Sequence, residues 1–401
     1  MNEHIQCELL APAGDPEKLK AAITFGADAV YLGYKKLNLR AFSGNFTLEE
    51  IEQAAAYVHA RGKKIYITLN AIPHNDDLYE LEECLRGMAE AGADALIVSD
   101  PGVISSAKKV IPHMPLHLST QANCTNYLSA SFYHSIGITR IILSRELGLQ
   151  EIRKIREETP ESLELETFVH GAMCMSYSGR CHLSHMMTGR DANRGSCAQP
   201  CRWQYALVEE KRPGVYYPIV QDERGSYVLS AQDLCMIEHL HELAQAGVGS
   251  FKIEGRMKTM YYVANVVNAY RRALGGGSID ELLAELYKSS HRPYGTGFFF
   301  GRPESAWDVG AYLQDYDFVA VVRNYDKSAG RVTVEMRNAF KEGDVLEVLS
   351  PNEYFNRHFE VKEMLDDEHN SLQKADLPQQ IVSFHSPYAL KPMDILRRKK
   401  K

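Results

Sequence analysis

Glu8-Leu-Leu-Ala-Pro-Ala-Gly-Asp-Pro-Glu-Lys-Leu-Lys-Ala-Ala-Ile-Thr-Phe-Gly-Ala-Asp-Ala-Val-Tyr-Leu-Gly33 holds one full turn of the pattern that decides the fold. Glu8–Ala13 reads as a short apolar strand. Asp15-Pro16-Glu17 then opens a helix. Aspartate is the N-cap, and proline takes the first helical position, where its missing N–H costs nothing. Phe25-Gly26-Ala27-Asp28 stops that helix, because glycine readily adopts the left-handed conformation that ends many helices. A second apolar strand, Ala29–Leu32, follows at once.

The unit recurs along the chain. Further apolar strand candidates are Ile65–Asn70, Ala95–Ser99, Leu116–Thr120, Arg140–Ser144, Leu163–Val169 and Gly249–Glu254. Each of the first six strands is followed by a helical pattern, and Thr47-Leu-Glu-Glu50 opens the second helix as a capping box. Glycine closes helices again at Arg61-Gly62, Ala91-Gly92, Ile136-Gly137 and Ala246-Gly247. Eight strands with helical crossovers and no dinucleotide fingerprint predict an α/β protein built on a (β/α)8, TIM-like barrel. The nearest glycine run, Gly275-Gly-Gly277, follows a helix over Tyr261–Leu274 rather than a strand, so it terminates a helix and begins a linker.

The barrel is expected to span residues 1–275. A connecting helix and loop follow over 276–309, the helix from Ser278 to Lys288 and the loop from His291 to Pro303. Short alternating strands then suggest a small antiparallel β-barrel over 310–401: Phe318–Val322, Arg331–Met336, Asp344–Leu349, Phe359–Met364, Gln380–Phe384 and Asp394–Leu396. The last eleven residues carry Lys391, Arg397, Arg398, Lys399, Lys400 and Lys401 against Asp394, and read as a solvated tail or one that meets phosphate. The composition, 45% hydrophobic and 24% charged, is that of an ordinary globular chain. No run of 18 apolar residues exists to span a membrane. Met1–Ile5 is polar and no apolar segment follows, which points to the reducing cytoplasm. A net charge of −7 argues against indiscriminate nucleic-acid binding but leaves room for a local basic face.

Four of the eight cysteines fall in the loop 171–203, at Cys174, Cys181, Cys197 and Cys201. Ser178-Gly179, Thr188-Gly189 and Arg194-Gly195 break that loop into turns. Disulfides are rare in a reducing compartment. Paired short knuckles suit zinc, and Cys174-x6-Cys181 is too wide for one, although His182 and His185 keep a mixed site open. Four-thiolate ligation of an iron–sulfur cluster tolerates irregular spacing. Inert, buried thiols are the remaining reading, and the default for Cys7, Cys84 and Cys124. Cys235, after Asp233-Leu234, is expected at the start of a helix, where a thiol pKa falls.

In a (β/α)8 barrel chemistry gathers at the C-terminal ends of the strands. Those ends carry Gly33, Asn70, Gln121, Ser144-Arg145, His170-Gly171 and Glu254-Gly-Arg256. Glu166 lies two strand periods before His170, so the two are expected on one face. A carboxylate inside a barrel needs a partner, and Lys252 or Arg256 is in reach. His170 offers a proton shuttle or a hydrogen bond to a cluster, against the plainer reading of a locally satisfied histidine.

Several long motifs carry a resemblance. Glu166-Thr-Phe-Val-His-Gly-Ala-Met-Cys174, Ser178-Gly-Arg-Cys181, Asp191-Ala-Asn-Arg-Gly-Ser-Cys-Ala-Gln-Pro-Cys-Arg202, Ser230-Ala-Gln-Asp-Leu-Cys235 and Phe251-Lys-Ile-Glu-Gly-Arg256 closely resemble the signature of peptidase family U32. The likeness covers nearly the whole chain. It implies a [4Fe–4S] cluster on Cys174, Cys181, Cys197 and Cys235, with Cys201 as the alternate. The length and small C-terminal domain are similar to members that convert uridine 34 of tRNA to 5-hydroxyuridine with prephenate and without oxygen. That implies the tRNA anticodon loop and a small dicarboxylate as partners, and a paralogous protein partner is conceivable because relatives acting on quinones work as heterodimers. Arginine forks would bind prephenate's carboxylates. Arg145 and Arg256 flank the cysteine loop and Arg40 lies nearby; Asn70, Gln121 and Glu254 complete the expected substrate-binding set, with His170, Glu166 and Lys252 as catalytic candidates. Alternatives are a peptidase, as the family's label says, or hydroxylation of ribosomal RNA or a quinone precursor. The chain has neither His-Glu-x-x-His nor Gly-x-Ser-x-Gly, and a thiolate bound to iron is not free to attack a carbonyl.

Overall fold

The computed structural model describes residues 5–35, 44–174, 176–178, 180–203, 206–208, 216–218, 232–301 and 313–400. Seven strands alternate with helices: β1 (Glu8–Pro12), β2 (Ala29–Gly33), β3 (Lys64–Leu69), β4 (Ala95–Val98), β5 (Leu116–Leu118), β6 (Arg140–Ile142) and β7 (Glu164–Ala172). A hairpin β8 (Ala206–Val208) and β9 (Tyr216–Pro218) and a short strand β10 (Asp233–Cys235) precede β11 (Ser250–Ile253). Strands β1 to β7 run parallel, and β11 pairs with both β1 and β7, so eight strands close a barrel.

Local sequence explains the helices. Asp15 caps α1 (Pro16–Thr24) by accepting from the Lys18 N–H, and Thr47 and Glu50 form the expected capping box of α2 (Leu48–His59). Helices α3 (Leu81–Glu90), α4 (Pro101–Val110), α5 (Tyr127–Ser135) and α6 (Leu149–Glu157) follow the next four strands. A short α7 (Leu183–Thr188) lies in the cysteine loop, and α8 (Leu240–Gln245) precedes β11. Helix α9 (Met260–Leu274) is apolar or buried on nearly every face, because α1, β1 and α10 (Ile279–Leu286) surround it.

Two details depart from the expected elements. β7 runs three residues beyond Val169, to Ala172. Cys235 ends the strand β10, antiparallel to β7, instead of opening a helix; Cys235 stands opposite His170 and Asp233 opposite Ala172. β10 also pairs with β12 (Tyr294–Gly295), inside the segment expected to be loop. Among the described residues, no helix is long and apolar enough to cross a membrane.

The C-terminal strands are β13 (Tyr316–Asp326), β14 (Arg331–Met336), β15 (Phe340–Lys341), β16 (Val345–Leu349), β17 (His358–Glu360), β18 (Lys362–Leu365), β19 (Lys374–Ala375), β20 (Ile381–His385) and β21 (Ile395–Lys399). Seven form a nearly closed antiparallel barrel in the order β17-β16-β21-β13-β14-β20-β18. Its core includes Val322, Val334, Leu346, Val348, Phe384 and Leu396.

The basic tail is only in part solvated: Lys391, Lys399 and Lys400 are exposed, whereas Arg398 is half-buried and Arg397 is buried. Ile395–Lys399 is a central strand, and Arg397 on it is fully buried. Its guanidinium bonds Glu347 on β16, Glu285 on α10 and Asn265 on α9. Alternation within the strand sends Arg397 inward, and the apolar Ile395 and Leu396 supply the strand propensity that the charges obscured. Burial pushes the Glu347 carboxyl up, but Arg397 and Lys288 more than offset this and hold it below its usual range. Arg272 on α9 adds bonds to the carbonyls of Ser350 and Asn352, at 3.2 and 3.0 Å. The barrel and the β-domain are therefore joined by polar groups that depend on one another. Replacing Arg397 by Ala leaves two buried carboxylates with Lys288 between them and should cost about 3 kcal/mol, read as a lower urea midpoint and Tm.

Candidate active site

The barrel interior holds an ionic layer. Arg140 on β6 is buried and its Nη1 lies 2.5 Å from Glu8 Oε1 and 3.1 Å from Glu166 Oε2. Lys252 Nζ on β11 donates to Glu166 Oε1 at 2.8 Å, and Ser250 Oγ to Glu166 Oε2 at 3.2 Å. Glu166 is wholly buried, so two cations balance a carboxylate that could not stand alone. Glu166 and Lys252 thus meet as expected, with Arg140 as a third member that the sequence reading missed. An arginine inside an apolar strand was the available signal. His117 and Tyr66 pack edge-on within this layer, ring centroids 4.8 Å apart, and Tyr66 Oη donates to Glu8 Oε2 at 2.7 Å.

Toward the C-terminal ends of the strands a cavity of about 50 Å³ opens, lined by Tyr31, Thr68, Asn70, Ser119, Gln121, Arg145, Phe168, Lys252, Glu254 and Arg256. Six of these were singled out from sequence: Asn70, Gln121, Arg145, Lys252, Glu254 and Arg256. They arrive from four strands: Asn70 follows β3, Gln121 follows β5, Arg145 follows β6, and Lys252, Glu254 and Arg256 lie on or just beyond β11. Lys252 Nζ lies 4.5 Å from the Tyr31 ring centre, so the ionic layer is also the cavity floor. The volume admits a few waters, or one carboxylate. Asn70 Oδ1 and Gln121 Oε1 are buried acceptors with no hydrogen-bond partner among the described residues. Groups left so in a native fold mark a place where something else binds.

Both arginines are held in position. Arg145 Nη1 donates to the Ala172 carbonyl at 3.1 Å and Nη2 to Ser178 Oγ at 2.9 Å, and its guanidinium covers Phe168, 5.1 Å from the ring centre. Arg256 Nη1 donates to Thr68 Oγ1 at 3.1 Å and Nη2 to Asn45 Oδ1 at 2.6 Å. Gly33 makes room for it: a Cβ there would stand 2.1 Å from Arg256 Nη2. Thr68 and Asn45 were not anticipated. Thr68 ends an apolar strand and was legible as a rim residue, whereas nothing in the sequence brings Asn45 to Arg256. Arg40 lies outside the described residues.

His170 departs from its expected place. The β7–β11 register passes from Lys252 opposite Phe168 to Ile253 opposite His170, so Val169 is an extra residue. A bulge of this kind reverses the alternation. Glu166 and Phe168 therefore face the barrel interior, and His170 faces Tyr262 and Tyr270 of α9 and Tyr294 of β12, with ring centres 6.0, 5.4 and 5.3 Å away. Tyr270 Oη lies 3.3 Å from His170 Nδ1, and Nε2 has no partner among the described residues. Burial pushes the imidazole pKa down to about 3, so it is neutral at physiological pH and unsuited to proton shuttling there.

No disulfide joins the cysteines. Cys174 is exposed, and Cys181, Cys197 and Cys201 are half-buried on the loop. Cys235 is buried, with Tyr270 Oη 3.9 Å from its sulfur. Burial raises its thiol to about 11, the opposite of what a helix start would do. Among the described residues, no three His, Cys, Asp or Glu side chains converge to hold a metal ion. The donors are nonetheless all sulfur, and β10 sets Cys235 beside the end of β7 from which Cys174 departs. Thiols of that kind fit an iron–sulfur cluster better than a hard cation. Cys7 and Cys124 have thiols raised to about 11 by burial.

Family comparison agrees with this arrangement of barrel, cysteine loop and β-domain. The profile described as Peptidase family U32 matches residues 14–308, and that of the Peptidase family U32 C-terminal domain matches 314–397. The chain belongs to peptidase family U32. It is 39% identical to "tRNA hydroxylation protein P1" of Bacillus subtilis (strain 168), over 98% of this chain and 95% of that protein. It is 36% identical to "tRNA hydroxylation protein P" of Escherichia coli (strain K12), over 86% of each. Identity to the "23S rRNA 5-hydroxycytidine C2501 synthase" of Escherichia coli (strain K12) is 41%, over 71% of this chain and 41% of that protein. Among the described residues, no histidine or cysteine lines the cavity of this U32 chain beside Ser119 and Thr120.

Two outcomes test this geometry. Gly33→Ala should push Arg256 out of its seat while leaving the barrel folded, seen as lost affinity for a dicarboxylate probe by calorimetry. Burial also holds His117 well below its ordinary 6.5. The unfolded chain binds protons at these two histidines below about 6.5, and the native state does not until far lower. The stability they carry is present above 6.5 and lost as pH falls toward 3. Urea midpoints across that window should decline, and less steeply in His117→Phe.

Proposed function

We propose that the chain is an RNA hydroxylation enzyme that converts uridine 34 in the tRNA anticodon loop to 5-hydroxyuridine without molecular oxygen, using prephenate and a [4Fe–4S] cluster. The observation that carries this reading is the meeting of Arg145, Arg256 and Lys252 with the unpartnered acceptors of Asn70 and Gln121 at the barrel mouth, beside the cysteine loop. Relatives named for tRNA hydroxylation that align along nearly the whole chain support it.

Prephenate carries two carboxylates, and guanidinium groups bind carboxylates through paired N–H donors. In this reading Arg145 and Arg256 orient one carboxylate at the cavity, and Lys252 adds positive charge below it. Asn70 and Gln121 then accept hydrogen bonds from the substrate's hydroxyl side. Cys174, Cys181, Cys197 and Cys235 would hold the cluster, with Cys201 the alternate to Cys235. A bound cluster supplies one-electron redox chemistry. The barrel below is packed solid, so water and substrate reach the cavity only from the rim. The acceptor uridine must be splayed out of its loop, which single-stranded anticodon bases do cheaply.

The test is nucleoside mass spectrometry of tRNA from a deletion strain carrying this chain or its variants. The wild-type chain should restore 5-hydroxyuridine. Arg145→Lys and Arg256→Lys should keep iron and sulfide content yet lose modification by tens- to hundreds-fold, because lysine keeps the charge and loses the fork. Cys174→Ala, Cys181→Ala and Cys197→Ala should each lose iron and sulfide, and Cys235→Ala should do so where Cys201→Ala does not. Failure of the wild-type chain to restore the nucleoside, with the cluster intact, would move the acceptor to ribosomal RNA or a quinone precursor.

A further inference from the structure

Next to the barrel mouth lies a second cavity, an open cleft of about 600 Å³, twelve times the volume of the first. That is within the range of sites that bury a small ligand. We infer that this cleft receives the nucleobase of the RNA, stacked on Tyr177, with an adjoining phosphate on Arg180. The inference rests on the RNA reading above and adds the place where the RNA lies.

Four observations support it. Tyr177 lines the cleft, is 49% exposed as a residue, and has its ring stacked on nothing among the described residues. An exposed aromatic ring on a loop is what an unstacked base needs, since every base has a face to offer. Arg180 also lines the cleft, and its position is fixed. Its Nε donates to Asn123 Oδ1 at 2.8 Å, and Asn123 Nδ2 is in turn anchored on the Ser178 carbonyl at 2.9 Å. Asn123 adopts the left-handed conformation, φ 54°, that asparagine tolerates better than most residues. With Nε held, the two terminal nitrogens of Arg180 have no partner among the described residues and present the fork that phosphate binds.

Charge makes the third observation. The loop 171–203 carries Arg180, Arg190, Arg194 and Arg202 against Asp191 alone, a balance of four to one in a chain of net charge −7. A basic segment in an acidic chain selects a polyanion over an acidic or apolar peptide. The same loop exposes Met186, Met187 and Trp203 beside Tyr177. Glu146 is the one acid in the cleft lining among the described residues. It repels phosphate but accepts from a base N–H, so the base belongs toward Glu146 and the phosphate toward Arg180.

The fourth observation is continuity. Ser178 Oγ accepts from Arg145, which lines the first cavity, and its carbonyl accepts from Asn123, which lines the cleft. One residue therefore ties the lining of one cavity to that of the other. The cleft and the first cavity adjoin at Ser178, which places a base bound in one near a carboxylate bound on Arg145.

Fluorescence anisotropy tests this with the full-length protein purified anaerobically and two probes: a labelled anticodon stem-loop RNA, and the same RNA abasic at position 34. Tyr177→Ala should weaken binding of the intact RNA by about 5- to 100-fold, the range for one lost stacking partner. Tyr177→Phe should bind like the wild type. The abasic RNA should bind Tyr177→Ala and wild type alike. Arg180→Gln should reduce the salt dependence of binding by about one phosphate contact. Circular dichroism and iron content check that the variants are folded and loaded. If the wild type binds RNA but Tyr177→Ala and Arg180→Gln bind equally well, the cleft is not the base site and the RNA reading stands. If Tyr177→Ala weakens both probes equally, stacking is excluded. If the wild type binds neither RNA, the RNA reading fails and this inference falls with it.

Discussion

Arg140 is the charge around which the barrel closes. Its guanidinium sits away from water and bonds Glu8 on the first strand, Glu164 and Glu166 on the seventh. Lys252 on the closing strand binds Glu166 in turn. Charges taken out of water are tolerable only when each is answered. Here the answers come from β1, β6, β7 and β11, so correct closure and charge balance are one condition. The upper side of the same layer is the floor of the cavity, and the positive charge offered to an incoming carboxylate is part of what holds the strands in register.

One extra residue in β7 divides the strand's duties. Before Val169 the strand sends Glu166 and Phe168 into the barrel; after it, His170 turns to the tyrosines of α9, next to Cys235. Polar functions that would crowd one face are thereby split between two. Gly171, with φ 109°, follows at once, and a Cβ there would meet the Glu254 carbonyl at 2.5 Å. The chain can pass so close to the eighth strand only because the side chain is absent.

The barrel was legible because its signals are local: strand length, proline and aspartate at helix starts, glycine at helix ends. The rim residues Asn70, Gln121, Arg145, Glu254 and Arg256 were legible for the same reason, since a strand end is a position in sequence. What escaped depended on contacts between distant segments. Nothing near Val169 announces a bulge, which exists only against β11. Asn45 reaches Arg256 across the barrel mouth. The cluster of lysines and arginines at the C-terminus reads as solvated until β13 and β16 stand on either side of it. Cys235 looked like a helix start because the sequence does not show that β7 offers it a strand partner.

The β21 strand has a consequence for how the molecule is made. It lies between β13 and β16 in the C-terminal sheet, yet it follows every other strand of that sheet in sequence. Domains fold as the chain emerges, N-terminal parts first. The (β/α)8 barrel can thus close while Glu285 has Lys288 but not yet Arg397 beside it, and the C-terminal sheet has a gap at its centre until β21 emerges. Arg397 arrives with that strand and completes both units in one step. A chain cut ahead of β21 has two buried acids left with Lys288 between them and two unpaired strand edges, the kind of surface that proteases and chaperones recognise.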